Sequence, residues 1–144
     1  MSKVLLVGID CSDCAERALE YAADWAEAIG GELLVTHVIQ WSPFSFTTPQ
    51  ENEERHKRRE AELDRAHREV VDPLVSDLRE RGLKARGVIR HGHPAETLCD
   101  VAEELKADHI VIGKTGSSRI RAQLFGSVAN SLIQISKQPV TVVP

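Results

Sequence analysis

Apolar runs of strand length alternate with amphipathic helical patterns along the chain of 144 residues, and this alternation predicts an α/β fold. Read in order, the elements are βαβαβαβαβ. Because parallel strands joined through helices cross over with a right hand, we expect a doubly wound, open, parallel sheet of five strands. The expected strand order is 3-2-1-4-5, with helices on both faces of the sheet. The length predicts a single domain over residues 1–144.

The five predicted strands are short runs rich in aliphatic and β-branched residues. Most of them lack polar alternation, which is typical of parallel strands that are buried on both faces. The third run is less apolar than the others, since Arg86 and Gly87 interrupt it. The runs cover residues 4–9, 33–39, 85–89, 109–112 and 140–143.

Four helical patterns connect these strands. The first ends at Gly30, since glycine is common just after the last turn of a helix. The second is long and contains Pro73, which we expect to kink it or to divide it in two. Pro94 opens the third, in the first turn, where proline is tolerated. The patterns cover residues 15–29, 51–81, 94–105 and 128–136.

The composition is that of a soluble globular protein, with 42% hydrophobic and 28% charged residues. The formal net charge of -4 argues against a basic surface that binds nucleic acid. Half of the six aromatic residues lie in one loop, as Trp41, Phe44 and Phe46. That loop packs locally, covers a ligand or contacts a partner, and the sequence leaves these alternatives open.

The start of the chain predicts no membrane insertion and a cytoplasmic location. The apolar run over residues 4–9 is followed at once by Asp10, so it is too short for a signal peptide or a membrane span. Three cysteines are an odd number, and they are expected to be reduced thiols rather than a disulfide framework.

Candidate ligand-binding residues follow strands one and four. Ligands of open doubly wound sheets bind beyond the carboxyl ends of the strands, where the strand order reverses. Strand one leaves at Asp10 and strand four at Gly113 and Lys114, and Gly126-Ser127 precedes the last helix. Glycines and a helix N-terminus place N–H groups near a di- or triphosphate. The alternative is that the glycines form a turn and that Ser127 caps the helix.

Gly113-Lys114-Thr115 is not a Walker phosphate loop. That loop needs a glycine where this chain has Asp108, and a helix directly after the lysine. The histidines His91 and His93 lack zinc-site spacing and are predicted to lie in a turn after strand three. His37 is predicted to be a hydrogen-bonded core residue.

The spacing Gly113-x2-Gly116-x9-Gly126-Ser127, between strand four and the closing apolar strand, resembles the nucleotide loop of the universal stress protein family. The first strand with its Asp10, and residues 37–39, resemble the matching parts of the same family. The resemblance is to its ATP-binding type, with the motif G-x2-G-x9-G-[ST], and spans essentially the whole chain. It implies bound ATP, or AMP or ADP, with Mg²⁺ at the phosphates.

Carried over residue by residue, the resemblance implies that the backbone of Ile9 and Val38 meets the adenine. Asp10 would hydrogen-bond the ribose or help to hold the metal. Lys114 differs from the residues usual in the family, so a phosphate contact from it is not inherited. The phosphates would be cradled by Gly113, Gly116, Gly126, Ser127 and Val128.

The resemblance also implies a nucleotide-dependent regulatory or stress-response factor. No residue other than Asp10 is an evident general base, so we expect no catalytic residue and at most slow ATP hydrolysis. Strand Val140–Val143 would leave an apolar sheet edge, which a second copy would cover, and a homodimer is therefore expected. The sequence does not identify a protein client.

Two other functions stay open. Cys11 and Cys14 follow a strand and begin a helix, where a dithiol oxidoreductase carries its CxxC motif, because the helix N-terminus lowers the pKa of a thiol. Asp10 and Asp13 oppose thiolate formation there. The other alternative is a dimeric interaction module that binds no nucleotide.

Overall fold

The strands of the computed structural model form a five-stranded parallel sheet with the order β3-β2-β1-β4-β5. The structure describes residues 3–10, 13–40, 49–114 and 126–144. The predicted doubly wound fold and strand order are confirmed. The strands are β1 (Val4–Ile9), β2 (Glu32–Gln40), β3 (Lys84–Gly92), β4 (His109–Gly113) and β5 (Val140–Val143).

The helices cover both faces of the sheet, as predicted. One face packs against α1, α2 and α3, and the other face packs against α4 and α5. Alternate residues of the central strands are buried in the two cores, because successive strand side chains point to opposite faces. The helices are α1 (Asp13–Ile29), α2 (Pro49–Ala66), α3 (Asp72–Glu80), α4 (Pro94–Glu104) and α5 (Ser127–Ile135). In the described part of the chain, none of the helices is long and apolar enough to cross a membrane.

The third strand is longer than the sequence predicts. β3 pairs with β2 along nine residues, from Lys84 opposite Glu32 to Gly92 opposite Gln40. Charged residues interrupt its apolar run because β3 lies at an edge of the described sheet, where one face of the strand is partly exposed. The prediction of a turn at His91 is therefore wrong, since that residue lies within the strand.

The long helical pattern divides before Pro73 rather than at it. A π-helical turn, His67–Val71, joins α2 to α3, and Pro73 lies in the first turn of α3. There the missing N–H of proline needs no partner. Val71 packs directly on Gly87 of β3, where any Cβ would overlap the Val71 side chain. The glycine lets the helical segment approach the sheet closely.

Candidate functional site

The ends of β1 and β4 are neighbours at the carboxyl edge of the sheet. These strands pair from Leu5 opposite His109 to Val7 opposite Val111. The chain leaves β1 toward α1 on one face, and α5, which follows β4, lies on the other. Such a reversal opens a crevice between the two strand ends. Asp10 directly follows β1 and is half-buried, as is Lys114, which directly follows β4.

Two short hydrogen bonds join Lys114, at the end of β4, to the start of α5 and to the end of β5. The N–H of Gly126 donates to the carbonyl oxygen of Lys114 at 2.7 Å, and the N–H of Lys114 donates to the carbonyl oxygen of Val143 at 2.7 Å. The start of α5 therefore lies beside the end of β4. Residues 115–125, including Gly116, lie outside the described part of the chain.

The N-cap of α5 is Gly126, with φ -64° and ψ 160°. The alternative that Ser127 caps the helix is therefore wrong, since Ser127 is already its first residue. The N–H of Asn130 donates to the carbonyl oxygen of Gly126 and closes the first helical turn. The N–H groups of Ser127, Val128 and Ala129 precede that bond, at the positive end of the helix.

Gly113 has a packing role that needs no ligand. A Cβ at this position would lie 2.8 Å from the backbone carbon and the Cβ of Cys14, and 3.0 Å from its carbonyl oxygen. Cys14 lies in the first turn of α1. Only glycine therefore allows the helix to lie this close to β4.

The predicted adenine contacts stand at the ends of β1 and β2. The Ile9 side chain is buried on the α1 face, whereas Val38 packs on the opposite face of the sheet. Backbone atoms are therefore what the two residues can present to one ligand. His37 is half-buried and hydrogen-bonded, as expected, with Nδ1 3.0 Å from the carbonyl oxygen of Ile9. Because that oxygen only accepts, Nδ1 carries the proton.

Asp10 is a carboxylate at the centre of this edge. Among the described residues, no group of three or more His, Cys, Asp or Glu side chains is placed to hold a metal ion. A nucleotide-borne Mg²⁺ does not require such a group, because one carboxylate together with phosphate oxygens and water completes its coordination. The donor set at Asp10 therefore fits a metal that arrives with a phosphate ligand.

The structure adds one residue that the sequence did not single out. The guanidinium of Arg17 donates from Nη2 to the Cys14 sulfur at 2.9 Å and from Nε to the main-chain oxygen of Pro144 at 2.8 Å. The spacing of Arg17 and Cys14 on one helix face was visible in the sequence, but the contact with the end of β5 was not. Cys11 and the loop with Trp41, Phe44 and Phe46 lie outside the described residues.

The parallel sheet, with its polar residues at the edge where the strand order reverses, defines a doubly wound α/β protein. The model of the universal stress protein family matches residues 1–144, and the chain belongs to that family. A universal stress protein of Thermus aquaticus is 32% identical over 143 residues, which cover 99% of both chains. One of Synechocystis sp. is 28% identical, over 100% of this chain and 87% of the relative.

Solved structures of universal stress proteins have the same fold. A structure of a Methanocaldococcus jannaschii protein superposes with a TM-score of 0.82 at 27% identity, covering 99% of this chain and 96% of the other. A universal stress protein of Archaeoglobus fulgidus in complex with dAMP superposes with a TM-score of 0.65 at 27% identity. The match covers 100% of this chain and 98% of the other.

Proposed function

We propose that this chain is a universal stress protein of the ATP-binding type. In this proposal it binds ATP, or AMP or ADP, at the crevice between β1 and β4 and acts as a nucleotide-dependent regulatory or stress-response factor. The observation that carries the proposal is the hydrogen bond from Gly126 to Lys114. This bond places the N–H groups that begin α5 beside the end of β4, and such groups bind anions. The dAMP complex of the Archaeoglobus fulgidus relative supports the same ligand class.

Each part of the nucleotide has a partner in this proposal. The adenine meets the backbone of Ile9 and Val38, and Asp10 bonds the ribose or holds Mg²⁺. The half-buried Lys114 offsets phosphate charge from the β4 side. The phosphates are cradled by Gly113, Gly116, Gly126, Ser127 and Val128.

We assign no catalytic residue. Hydrolysis needs a group that orients or activates the attacking water, and Asp10 is committed here to the ribose or the metal. Any ATP hydrolysis is therefore expected to be slow.

The proposed assembly is a homodimer through β5, in a single-domain cytoplasmic protein. Within the described sheet, β5 pairs with β4 on one side and is an edge on the other. Its four residues are all half-buried and apolar or uncharged. Pairing with β5 of a second copy would satisfy the backbone groups of that edge.

Ser127→Pro tests the nucleotide site without disturbing the helix. Proline is favoured at the first helical position, and the Gly126 backbone angles of -64° and 160° suit a residue before proline. The substitution deletes one N–H donor at the proposed phosphate site. Because hydrogen bonds to charged groups contribute about 1.5–3 kcal/mol, we expect ATP affinity to fall about tenfold or more in calorimetry.

The matched control is Ser127→Ala, which keeps the N–H group and should bind ATP within about twofold of the wild-type protein, since it removes only an exposed hydroxyl. Equal ATP affinity in Ser127→Pro and Ser127→Ala would refute the proposed phosphate site. Mass spectrometry of nucleotide that copurifies with the native protein would identify the ligand directly.

One observation favours the dithiol alternative. The Arg17 guanidinium lies 2.9 Å from the Cys14 sulfur, and a nearby cation favours a thiolate. Cys99 is an internal reference, because burial and then the charges of Asp100 and Glu103 raise the pKa of its thiol. If Cys14 is alkylated by iodoacetamide no faster than Cys99 at pH 7, the redox function is excluded.

A further inference from the structure

The end of β5 is directly hydrogen-bonded to the candidate nucleotide site. The carbonyl oxygen of Val143 accepts the N–H of Lys114, and the carbonyl oxygen of Lys114 accepts the N–H of Gly126. Two consecutive main-chain bonds, each of 2.7 Å, thus join the edge strand to the start of α5. A shift of Val143 would therefore displace both Lys114 and Gly126, which lie on the two sides of the proposed phosphate site.

A second connection runs through Arg17. Its guanidinium bonds the main-chain oxygen of Pro144 and the sulfur of Cys14. The backbone of Cys14 in turn lies against Gly113, with no room for even a Cβ between them. Arg17 therefore ties the residue after β5 to the helix turn that packs on the end of β4.

We propose that Arg17 is a positioning residue that couples the nucleotide site to the pairing of β5 with a second copy of the chain. The proposal rests on the proposed function, because it takes an adenine nucleotide as the ligand. A ligand that favours one arrangement of Gly113, Lys114 and the start of α5 also favours one position of the end of β5 through these bonds. In this proposal that position is the one that pairs with a second copy, so nucleotide strengthens the dimer.

Thermodynamic linkage makes this coupling measurable in two quantities, the affinity of the dimer and the affinity for ATP. If ATP tightens the dimer by some factor, dimerisation must tighten ATP binding by the same factor. For coupled sites this factor is typically about 5- to 150-fold in affinity. Arg17→Gln removes the guanidinium group that contacts Pro144 and Cys14, and leaves the main-chain hydrogen bonds of Lys114 intact. The coupling factor should therefore fall below the wild-type value, because one of the two connections is lost, whereas Arg17→Lys, which keeps the charge, should lose less of it.

The experiment measures the dimer dissociation constant by analytical ultracentrifugation, with and without saturating Mg-ATP, together with calorimetry of ATP binding. The matched control is Arg81→Gln. Arg81 contacts the same helix, α1, through Glu20 and Asp24 at 3.3 Å each, and it lies just after α3. This variant should keep the wild-type coupling factor. Thermal melting verifies that each variant is folded.

The result that supports the proposal is a wild-type dimer tightened about fivefold or more by ATP, with the smallest factor in Arg17→Gln and an unchanged factor in Arg81→Gln. An unchanged factor in Arg17→Gln, a wild-type factor of one, or a wild-type protein that stays monomeric overturns the coupling while nucleotide binding stands. A wild-type protein that binds no ATP overturns the proposed function as well.

Discussion

The two edges of the sheet differ in length, charge and what they leave open. β3 has nine residues, and exposed Lys84, Arg86 and Arg90 interrupt its apolar positions. Arg86 also pairs with Glu32 of the neighbouring strand at 3.0 Å. β5 has four residues, Val140–Val143, and none of them is charged. Charged side chains protect an edge strand from pairing with other chains, so β3 is a protected edge and β5 is not.

The difference indicates which edge of the sheet the proposed second copy would pair with. The protected edge carries the long helical segment α2 to α3 on one face, and β2 separates its strand end from the ends of β1 and β4. The unprotected edge ends in direct hydrogen bonds to the candidate site. Five substitutions, each with a control variant or a matched partner, test the contrast between the β3 side and the β5 side of the sheet.

The largest effect is expected from the two glycines that let helices approach each side. In Gly113→Ala the new methyl meets the backbone of Cys14, whereas in Gly87→Ala it meets the side chain of Val71. Overpacking costs about 1–3 kcal/mol, and backbone cannot rotate away as a side chain can. Urea unfolding should show a loss of about 3 kcal/mol for Gly113→Ala and a smaller loss for Gly87→Ala.

Val71→Ala supplies the control for this pair. Combined with Gly87→Ala it should cost less than the sum of the two single changes, because the overlap is removed. Additive costs would mean that the contact between Val71 and Gly87 does not limit the packing of the β3 side.

Val142→Pro should weaken the proposed dimer without detaching β5. The carbonyl groups of Pro139 and Val143 accept N–H groups from β4 and from Lys114. By strand alternation, the backbone groups of Val140 and Val142 face the free edge. Losing one outward N–H in each copy should raise the dimer dissociation constant about tenfold, at about 0.5–1.5 kcal/mol per bond. Val142→Thr keeps the N–H and should stay dimeric in ultracentrifugation; equal association of both variants would contradict pairing through this edge.

A smaller, stabilising effect is expected at the turn into β4. The turn before β3 places Gly82 at φ 86°, whereas the turn before β4 places Lys106 at φ 56°. A side chain is unfavourable in this left-handed region, and glycine is not. Lys106→Gly should raise the free energy of unfolding by about 0.5–1 kcal/mol. Lys106→Ala is the control, and a gain of the same size in that variant would show that loss of the lysine charge was the cause.

The smallest effect is a pH dependence on the β5 side. Burial lowers the pKa of His109 from its ordinary value of 6.5. Its Nε2 lies 2.6 Å from the Thr141 hydroxyl, and the Trp25 ring lies 4.6 Å away. Between the lowered pKa and the ordinary one, the unfolded chain binds more protons than the folded chain. The free energy of unfolding therefore rises with pH through this window, and the contribution is lost as the pH falls below about 6.5.

Urea unfolding of His109→Gln between pH 5 and pH 7.5 measures this contribution, since glutamine keeps a hydrogen-bonding group but does not titrate. The stability of the wild-type protein relative to this variant should decline toward low pH. His93→Gln, at an exposed histidine, is the control. A parallel pH profile of the wild-type protein and His109→Gln would exclude a role for His109.

The strand order and the presence of helices on both faces of the sheet could be predicted from the apolar runs of β1, β2 and β4. These runs are buried in the interior of the sheet, so they carry a clear strand pattern in the sequence. The full length of β3 could not, since an edge strand carries charges that resemble a loop in the sequence. The proximity of the ends of β1 and β4 follows from the sheet order. The identity of the helix cap did not follow, because serine and glycine are both suited to that position.

By itself, the sequence determined the alternation of buried strands and amphipathic helices. The spacing of Gly113, Gly116 and Gly126 indicated the family by resemblance, and the predicted strand order indicated the edge of the sheet at which we propose that a ligand binds. Tertiary structure alone decided that Gly113 is needed for packing against Cys14, and that Arg17 joins α1 to the residue after β5. The physical reason is the separation of the contacting residues along the sequence. Periodicity and turn preferences are properties of neighbouring residues, whereas these contacts join residues about a hundred positions apart or more.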